Sequence, residues 1–272
     1  MKLLSRADDF GSARAANKAI LEAVEAGHVI RNVSCMAVGP YIEEGAEYLK
    51  KYCHIDIGIH VTLNAEWDEI KWGPLTRVDS ASTVTDARGY FLPSQQMLAE
   101  RKPDVAEIIK EYDAQLDKLT MLGLRVSYAD SHMFPELFVE GLDTEFEQWI
   151  KRKGLLNSTE YYSSHEAGIP AFTERENEFL QSMDTWLQKA REWEQIFYLT
   201  HPAIANEETF LFANAHFKRG VVQKERQEEY LAVTSLRWEK WCEQYEITPV
   251  RYSQATKQDD SKQALKKMLG IE

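Results

Sequence analysis

Lys2-Leu3-Leu4-Ser5-Arg6-Ala7-Asp8-Asp9-Phe10-Gly11 opens the chain with a strand-length apolar run that stops at two adjacent carboxylates. The event recurs. Ile55-Asp56-Ile57-Gly58-Ile59 ends at His60, Val126-Ser127-Tyr128-Ala129 ends at Asp130 with His132 two residues on, and Ile196-Phe197-Tyr198-Leu199-Thr200 ends at His201. Each run closes on a residue able to bind a metal or move a proton. In a sheet or barrel of parallel strands the carboxyl ends share one rim, where active sites collect. Residues far apart in sequence are therefore expected to converge.

Helix-patterned stretches separate these runs, the alternation expected of βα units on a parallel sheet. Residues 2–8 read as the first strand. Residues 12–26 are Ala-rich and read as a helix, with Ser12 at the N-cap and Gly27 as a stop. A strand over Val29 to Val38, a helix over 41–52 and a strand over 55–61 follow. A long helix runs from Pro103 to Leu122, with Pro at its first turn and Gly123 just past its end. Then come a strand at 125–130, helices near 136–152 and 174–194, a strand at 196–201, a helix near 221–245 and a strand at 247–252.

Residues 64–100 break the pattern. They carry Trp67, Trp72, Gly73, Pro74, Gly89, Tyr90, Phe91 and Pro93 and no long helical period. Such an excursion after a strand ending in a candidate ligand often forms a lid or a substrate wall. Its aromatic residues suit the core of an irregular subdomain or a stacking wall for a sugar equally well. Residues 157–173 read as a second irregular excursion, and neither marks a domain boundary.

Hydrophobic residues make up 44% of the 272, enough for a packed core. A net charge of -12 argues against a nucleic-acid-binding surface. Cys35, Cys53 and Cys242 are scattered and odd in number, with no CxxC, so neither a thiol zinc site nor a disulfide framework is indicated. With no secretory signal and no membrane-spanning apolar run, a cytoplasmic protein without a membrane partner is expected.

Asp and His suit a divalent transition metal, and three protein ligands leave room for water. Asp9, His60 and His132 would supply one carboxylate and two imidazoles. Asp8 could serve as general base. Successive strand residues point to opposite sides, so Asp8 and Asp9 are expected to face differently unless the chain turns there. His201 could donate a proton to a leaving amine. Together these parts describe metal-assisted hydrolysis of an amide or ester. Bland readings exist for each part. An Asp-Asp pair after a strand is often a turn or cap feature, and a lone His near a strand end is usually structural, the reading given to His28, His54, His165 and His216. Asp130 is either a partner that orients an imidazole or a turn residue.

The ordered set of motifs resembles one family. Arg6-Ala7-Asp8-Asp9-Phe10-Gly11 resembles the N-A-D-D-F-G opening of the YdjC/ChbG-type carbohydrate deacetylases, and Asn17, Ile20, Ala23 and Gly27-His28-Val29 fit its first helix and turn. Val33-Ser34-Cys35-Met36 looks like the second strand, Gly58-Ile59-His60-Val61-Thr62-Leu63 resembles the G-x-H-x-x-L element, and Asp130-Ser131-His132 resembles the D-S-H element. His201-Pro202-Ala203 resembles the late H-P-G/A element, followed by Arg226 and Glu229 as R-x-x-E.

The resemblance implies an α/β fold, a distorted (β/α) barrel like those of polysaccharide deacetylases. It would occupy residues 1–253 as a single domain including the 64–100 insertion, with a polar tail at 254–272. It implies removal of acetyl groups from N-acetylated mono- or oligosaccharides by attack of a metal-bound water. Carried over, Asp8 is the base, Asp9, His60 and His132 hold the metal, His201 is the proton donor and Arg226 orients or tunes the base. The cofactor would be one divalent ion, Mg or Zn, with Mn, Co or Ni as further candidates, and a homodimer is in keeping with the family. Two departures bear on substrate choice. Many members carry a D-x-H-x-H-x-H stretch, whereas Met133-Phe134-Pro135 follows His132 here, and Arg6 stands where Asn is common. Two alternatives stay open. One is a glycoside or phospho-glycoside hydrolase using paired carboxylates such as Asp8 and Asp130. The other is a non-catalytic sugar-binding barrel.

Overall fold

The computed structural model describes residues 1–77, 82–162, 176–268 and 270. It begins with strand β1 (Lys2–Phe10), which pairs with three other strands. Six more strands follow, β2 (Asn32–Cys35), β3 (Asp56–Val61), β4 (Val126–Ser131), β5 (Leu156–Asn157), β6 (Gln195–Thr200) and β7 (Thr248–Val250). They form a seven-stranded sheet in the order β5-β4-β3-β2-β1-β6, and every ladder is parallel. β7 pairs with Lys2–Leu4 of β1, while β2 pairs with Arg6–Phe10, so the two share one edge of β1. Asn32 joins them, its Nδ2 donating to the carbonyls of both Ser5 and Val250. Among the described residues no ladder links β5 to β6. The barrel is thus a curled, open half-barrel.

Nine helices are described: α1 (Arg14–Ala26), α2 (Ile42–Leu49), α3 (Gln95–Glu100), α4 (Val105–Met121), α5 (Leu142–Lys153), α6 (Glu176–Ala190), α7 (Val221–Val233), α8 (Arg237–Gln244) and α9 (Ser261–Met268). None is long and apolar enough to cross a membrane. The two-residue alternation of the strands creates two cores. Leu3, Ala7, Val33, Ile57, Ile59, Ala129 and Ile196 belong to the larger core, which also takes in the buried faces of the helices. Leu4, Tyr128, Phe197, Val250 and Tyr252 form the smaller one, with Tyr161, Tyr162 and, from α9, Ala264 and Leu265. Each such aromatic ring stabilises the fold by roughly 1.5–3 kcal/mol on burial.

Several boundaries differ from the sequence expectation for local reasons. Ser12 does not cap α1; Ala13 holds that position without a side-chain bond, and Asn17 Oδ1 instead accepts from the Gly11 N–H. The left-handed Gly27 does end the helix. β2 stops at Cys35 because Met36–Gly39 turn onto the Gly11 segment. Pro103 precedes α4, whose cap is Asp104, accepting from the Ala106 N–H. The helix expected near 221–245 is two helices, broken where the Trp238 indole donates to the Ala232 carbonyl. Residues 163–173 of the expected second excursion, and His165, lie outside the described residues.

Gly58 shows how tightly the sheet's inner face is filled. It is in register with Ser34 of β2 and Tyr128 of β4. A Cβ there would stand 2.2 Å from the Tyr128 ring, whose hydroxyl reaches within 2.9 Å of Ser34 Oγ. Gly58→Ala is expected to destabilise the protein by about 1–3 kcal/mol through overpacking. The measurement is a urea titration, with a lower midpoint at unchanged slope.

The 64–100 insertion is fixed to α4 by a stripe of every fourth residue. Glu107 accepts from Ser82 Oγ and from the Thr83 hydroxyl and N–H. Glu111 accepts from the N–H groups of Leu75 and Thr76 and from the Thr76 hydroxyl. Gln115 accepts from the Thr62 N–H and donates to the Thr62 carbonyl, fixing the chain just beyond His60. Trp72 and Phe91 are core residues of this segment. Trp67 stacks on Phe212 at 5.3 Å and also lines the main cavity.

Candidate active site

The carboxyl ends of β1, β3, β4 and β6 bring Asp8, Asp9, His60, His132 and His201 to the wall of one cavity of about 600 Å³, with Arg226 of α7 beside them. The strand alternation that would have parted Asp8 from Asp9 fails at a single residue. Asp9 has φ 64, and the β1–β2 register shifts between Ala7 and Phe10. Aspartate tolerates this left-handed conformation better than most residues. The kink turns both carboxylates into the cavity.

Asp9 Oδ1 lies 3.5 Å from His60 Nε2 and 3.3 Å from His132 Nδ1, and the two nitrogens are 3.2 Å apart. Ligand atoms sharing one cation at about 2 Å each stand at such separations. Asp9 Oδ1 is buried without a hydrogen-bond partner. Each imidazole is backed by its own carboxylate. His60 Nδ1 lies 3.0 Å from Asp130 Oδ1, and His132 Nε2 lies 3.1 Å from Glu66 Oε2. A proton held on each back nitrogen leaves the other nitrogen, beside Asp9 Oδ1, with a lone pair free for a cation, the usual support of metal-binding histidines. The donor set therefore fits a divalent ion.

The charges are strongly tuned. Burial opposes the ionised form of Asp9, yet the Arg226 guanidinium and then the two histidines hold its carboxyl well below the usual range. Burial likewise opposes the His60 imidazolium, but Asp130 and Asp8 raise it to about 10. Glu66 and Asp9 raise His132 to about 9 against the same burial. Both imidazoles must lose a proton to hold a cation, so affinity falls as pH is lowered.

Asp8 does not touch Arg226. Its partner is Arg6, whose Nε and Nη2 donate to the two carboxylate oxygens at 2.7 and 2.8 Å. Arg226 Nη2 donates instead to Asp9 Oδ2 at 2.7 Å, so it sits on the candidate ligand and not on the candidate base. Its guanidinium lies 5.0 Å from the Phe212 ring and 6.0 Å from Trp67. His201 is one-third exposed. Glu229 accepts its backbone N–H at 2.6 Å and approaches its Nδ1 at 3.9 Å. Burial pulls the His201 imidazolium down, and Glu229 more than restores it above its ordinary value, favouring the proton-carrying form.

Asp130 is the imidazole-orienting partner that the sequence left undecided between two roles. It also accepts from Ser34 Oγ at 2.7 Å and pairs with Arg6 Nη1 at 2.8 Å. Glu66 was missed, because its place depends on how the irregular insertion folds back. His216, expected to be structural, also lines the cavity.

Beyond His132 the chain reverses through Met133 and Phe134, both left-handed at φ 58 and 53, and buries Glu136. Glu136 Oε1 accepts from Ser131 Oγ, while Oε2 is buried without a partner. Burial lifts this carboxyl from 4.5 to about 7, against the Ser131 bond. The fold thus prefers the protonated acid. That contribution is complete below about 4.5 and is lost as pH rises through about 7. Glu136→Gln is expected to be more stable than wild type by up to about 3 kcal/mol at pH 8 and no more stable near pH 4. Paired urea titrations at the two pH values measure it.

A family profile described as YdjC-like protein matches residues 2–244. The carbohydrate deacetylase of Thermoanaerobacter pseudethanolicus is 28% identical over 232 residues, covering 82% of this chain and 89% of that one. Carbohydrate deacetylase 1 of Listeria innocua is 31% identical over 134 residues, 48% of this chain and 51% of its own. A solved protein of Enterococcus faecalis V583, described as a candidate for cellobiose-phosphate cleavage, superposes with a TM-score of 0.65 at 22% identity, covering 94% of this chain and 99% of that one. At that identity the likeness speaks for the fold.

Proposed function

Since the chain belongs to the YdjC-like protein family, we propose that it hydrolyses the acetamide group of a small N-acetylated sugar with one divalent ion held by Asp9, His60 and His132. The observation that carries this reading is the convergence of Asp9 Oδ1, His60 Nε2 and His132 Nδ1, with Asp8 and His201 on the same cavity wall. Relatives named carbohydrate deacetylase support the acetylated-carbohydrate class. One carboxylate and two imidazoles favour a transition ion such as zinc over magnesium. When bound, that ion supplies Lewis acidity to water and to a carbonyl oxygen.

The chain's own groups do the rest. Asp8 takes the proton of the attacking water, and its two oxygens are kept in place by Arg6. His201, proton-loaded beside Glu229, gives a proton to the departing nitrogen, releasing acetate and the amino sugar. Trp67, Phe134, Leu199, Phe217 and Val222 give the cavity apolar walls suited to the faces of sugar rings. The Asp8–Asp130 version of the paired-carboxylate alternative is disfavoured, since Asp130 is turned onto Arg6, Ser34 and His60 and does not line the cavity.

The test is elemental analysis of the purified protein with acetate release from diacetylchitobiose assayed on the same preparation. About one ion per chain, and acetate release abolished by chelation and restored by metal, is the expected result. Acetate release that survives complete chelation would overturn the mechanism.

A further inference from the structure

Arg6 is wholly buried and is not part of the cavity wall, yet both chemical halves of the site rest on it. Its Nε and Nη2 donate to Asp8 Oδ1 and Oδ2 at 2.7 and 2.8 Å. Nη2 also faces the Tyr162 hydroxyl at 3.3 Å. Nη1 lies 2.8 Å from Asp130 Oδ2 and donates to the Tyr252 hydroxyl at 3.1 Å. The guanidinium thus donates four hydrogen bonds and pairs with a second carboxylate, that of Asp130. The Phe197 ring lies 5.4 Å away. Asp130 in turn supports His60 Nδ1 through its other oxygen, Oδ1.

We propose that Arg6 is a positioning residue that ties the candidate base to the candidate metal centre, holding Asp8 directly and His60 through Asp130. This rests on the roles given to Asp8 and His60 above. A simple buried ion pair would need one carboxylate. Arg6 spans two, belonging to two different functions, and uses the planar fork of arginine to do so. Lysine at this position keeps the charge but offers a single point, so it cannot hold Asp8 at both oxygens while reaching Asp130.

The experiment compares wild type, Arg6→Lys and Tyr252→Phe by Co²⁺ titration at fixed pH, with thermal unfolding followed separately and kcat and KM measured for acetate release. The folded Arg6→Lys protein is expected to bind Co²⁺ about tenfold more weakly. Its kcat should fall about 10²-fold with KM within about threefold, the pattern of a misplaced reacting group. Tyr252→Phe removes only the phenol oxygen beside Nη1 and should weaken Co²⁺ binding about threefold. A merely structural arginine predicts a lower melting temperature with Co²⁺ affinity and kcat of the folded protein unchanged, and that result overturns the proposal. If Arg6→Lys does not fold, wild-type affinity in Tyr252→Phe overturns it instead. The Co²⁺ comparison needs no sugar. A wild type that binds Co²⁺ but releases no acetate defeats the deacetylase reading while the affinities still decide the role of Arg6, and no Co²⁺ uptake by wild type defeats both.

Discussion

Asp8→Asn is expected to release acetate about 10²–10⁴-fold more slowly than wild type while its metal content stays at the wild-type level. Asparagine reproduces the shape of the carboxylate but cannot take a proton from water. The substitution leaves Asp9 Oδ1, His60 Nε2 and His132 Nδ1 in place, because those atoms are supported by Arg226, Asp130 and Glu66 and not by Asp8. Arg6 still has Asp130 as its counter-charge. Rate and metal content therefore separate in this variant. Acetate release within about threefold of wild type would remove Asp8 from the role of base.

His60→Ala is expected to do the opposite, taking the metal and the activity away together. It removes one of three ligand atoms and leaves Asp130 Oδ1 without its imidazole. Structural ligation by two remaining groups seldom holds a divalent ion at micromolar concentration. Elemental analysis should fall from about one ion per chain to background, with no acetate release restored by added metal. His201→Ala is the internal contrast, since His201 is not among the three convergent ligands and its loss should leave metal content unchanged. Full occupancy in His60→Ala would show that the ion is held elsewhere.

The convergence of Asp9, His60 and His132 was legible because it follows from strand direction alone. Four apolar runs ending in reactive side chains give one rim when the strands are parallel, and they are. What surrounds those residues was less so. That Asp8 and Asp9 share a cavity depends on the left-handed φ at Asp9, which the pair Asp-Asp does not announce. Arg226 lands on Asp9, whereas Asp8 belongs to Arg6, two residues before it on the same strand face. Glu66 is one carboxylate among the 44 acidic side chains of the sequence. Only the anchoring of residues 64–100 on α4 brings it to His132. Asp130 sat at a strand end like the others, yet its neighbours Arg6 and Ser34 come from β1 and β2 and turn it away from the cavity. Helix boundaries failed where a side chain reached a backbone carbonyl or N–H, as Trp238 and Asn17 do, contacts that depend on three-dimensional packing.

The sharing of one edge of β1 between β2 and β7 fixes an order in time as well as in space. As the chain leaves the ribosome, Lys2–Leu4 emerge long before their partners Thr248–Val250. Until those partners are made, β1 carries an unpaired half-edge, the kind of surface that recruits other nascent chains. A break in translation shortly before Thr248 would therefore leave its wound far away in sequence, on the strand that bears both aspartates of the site.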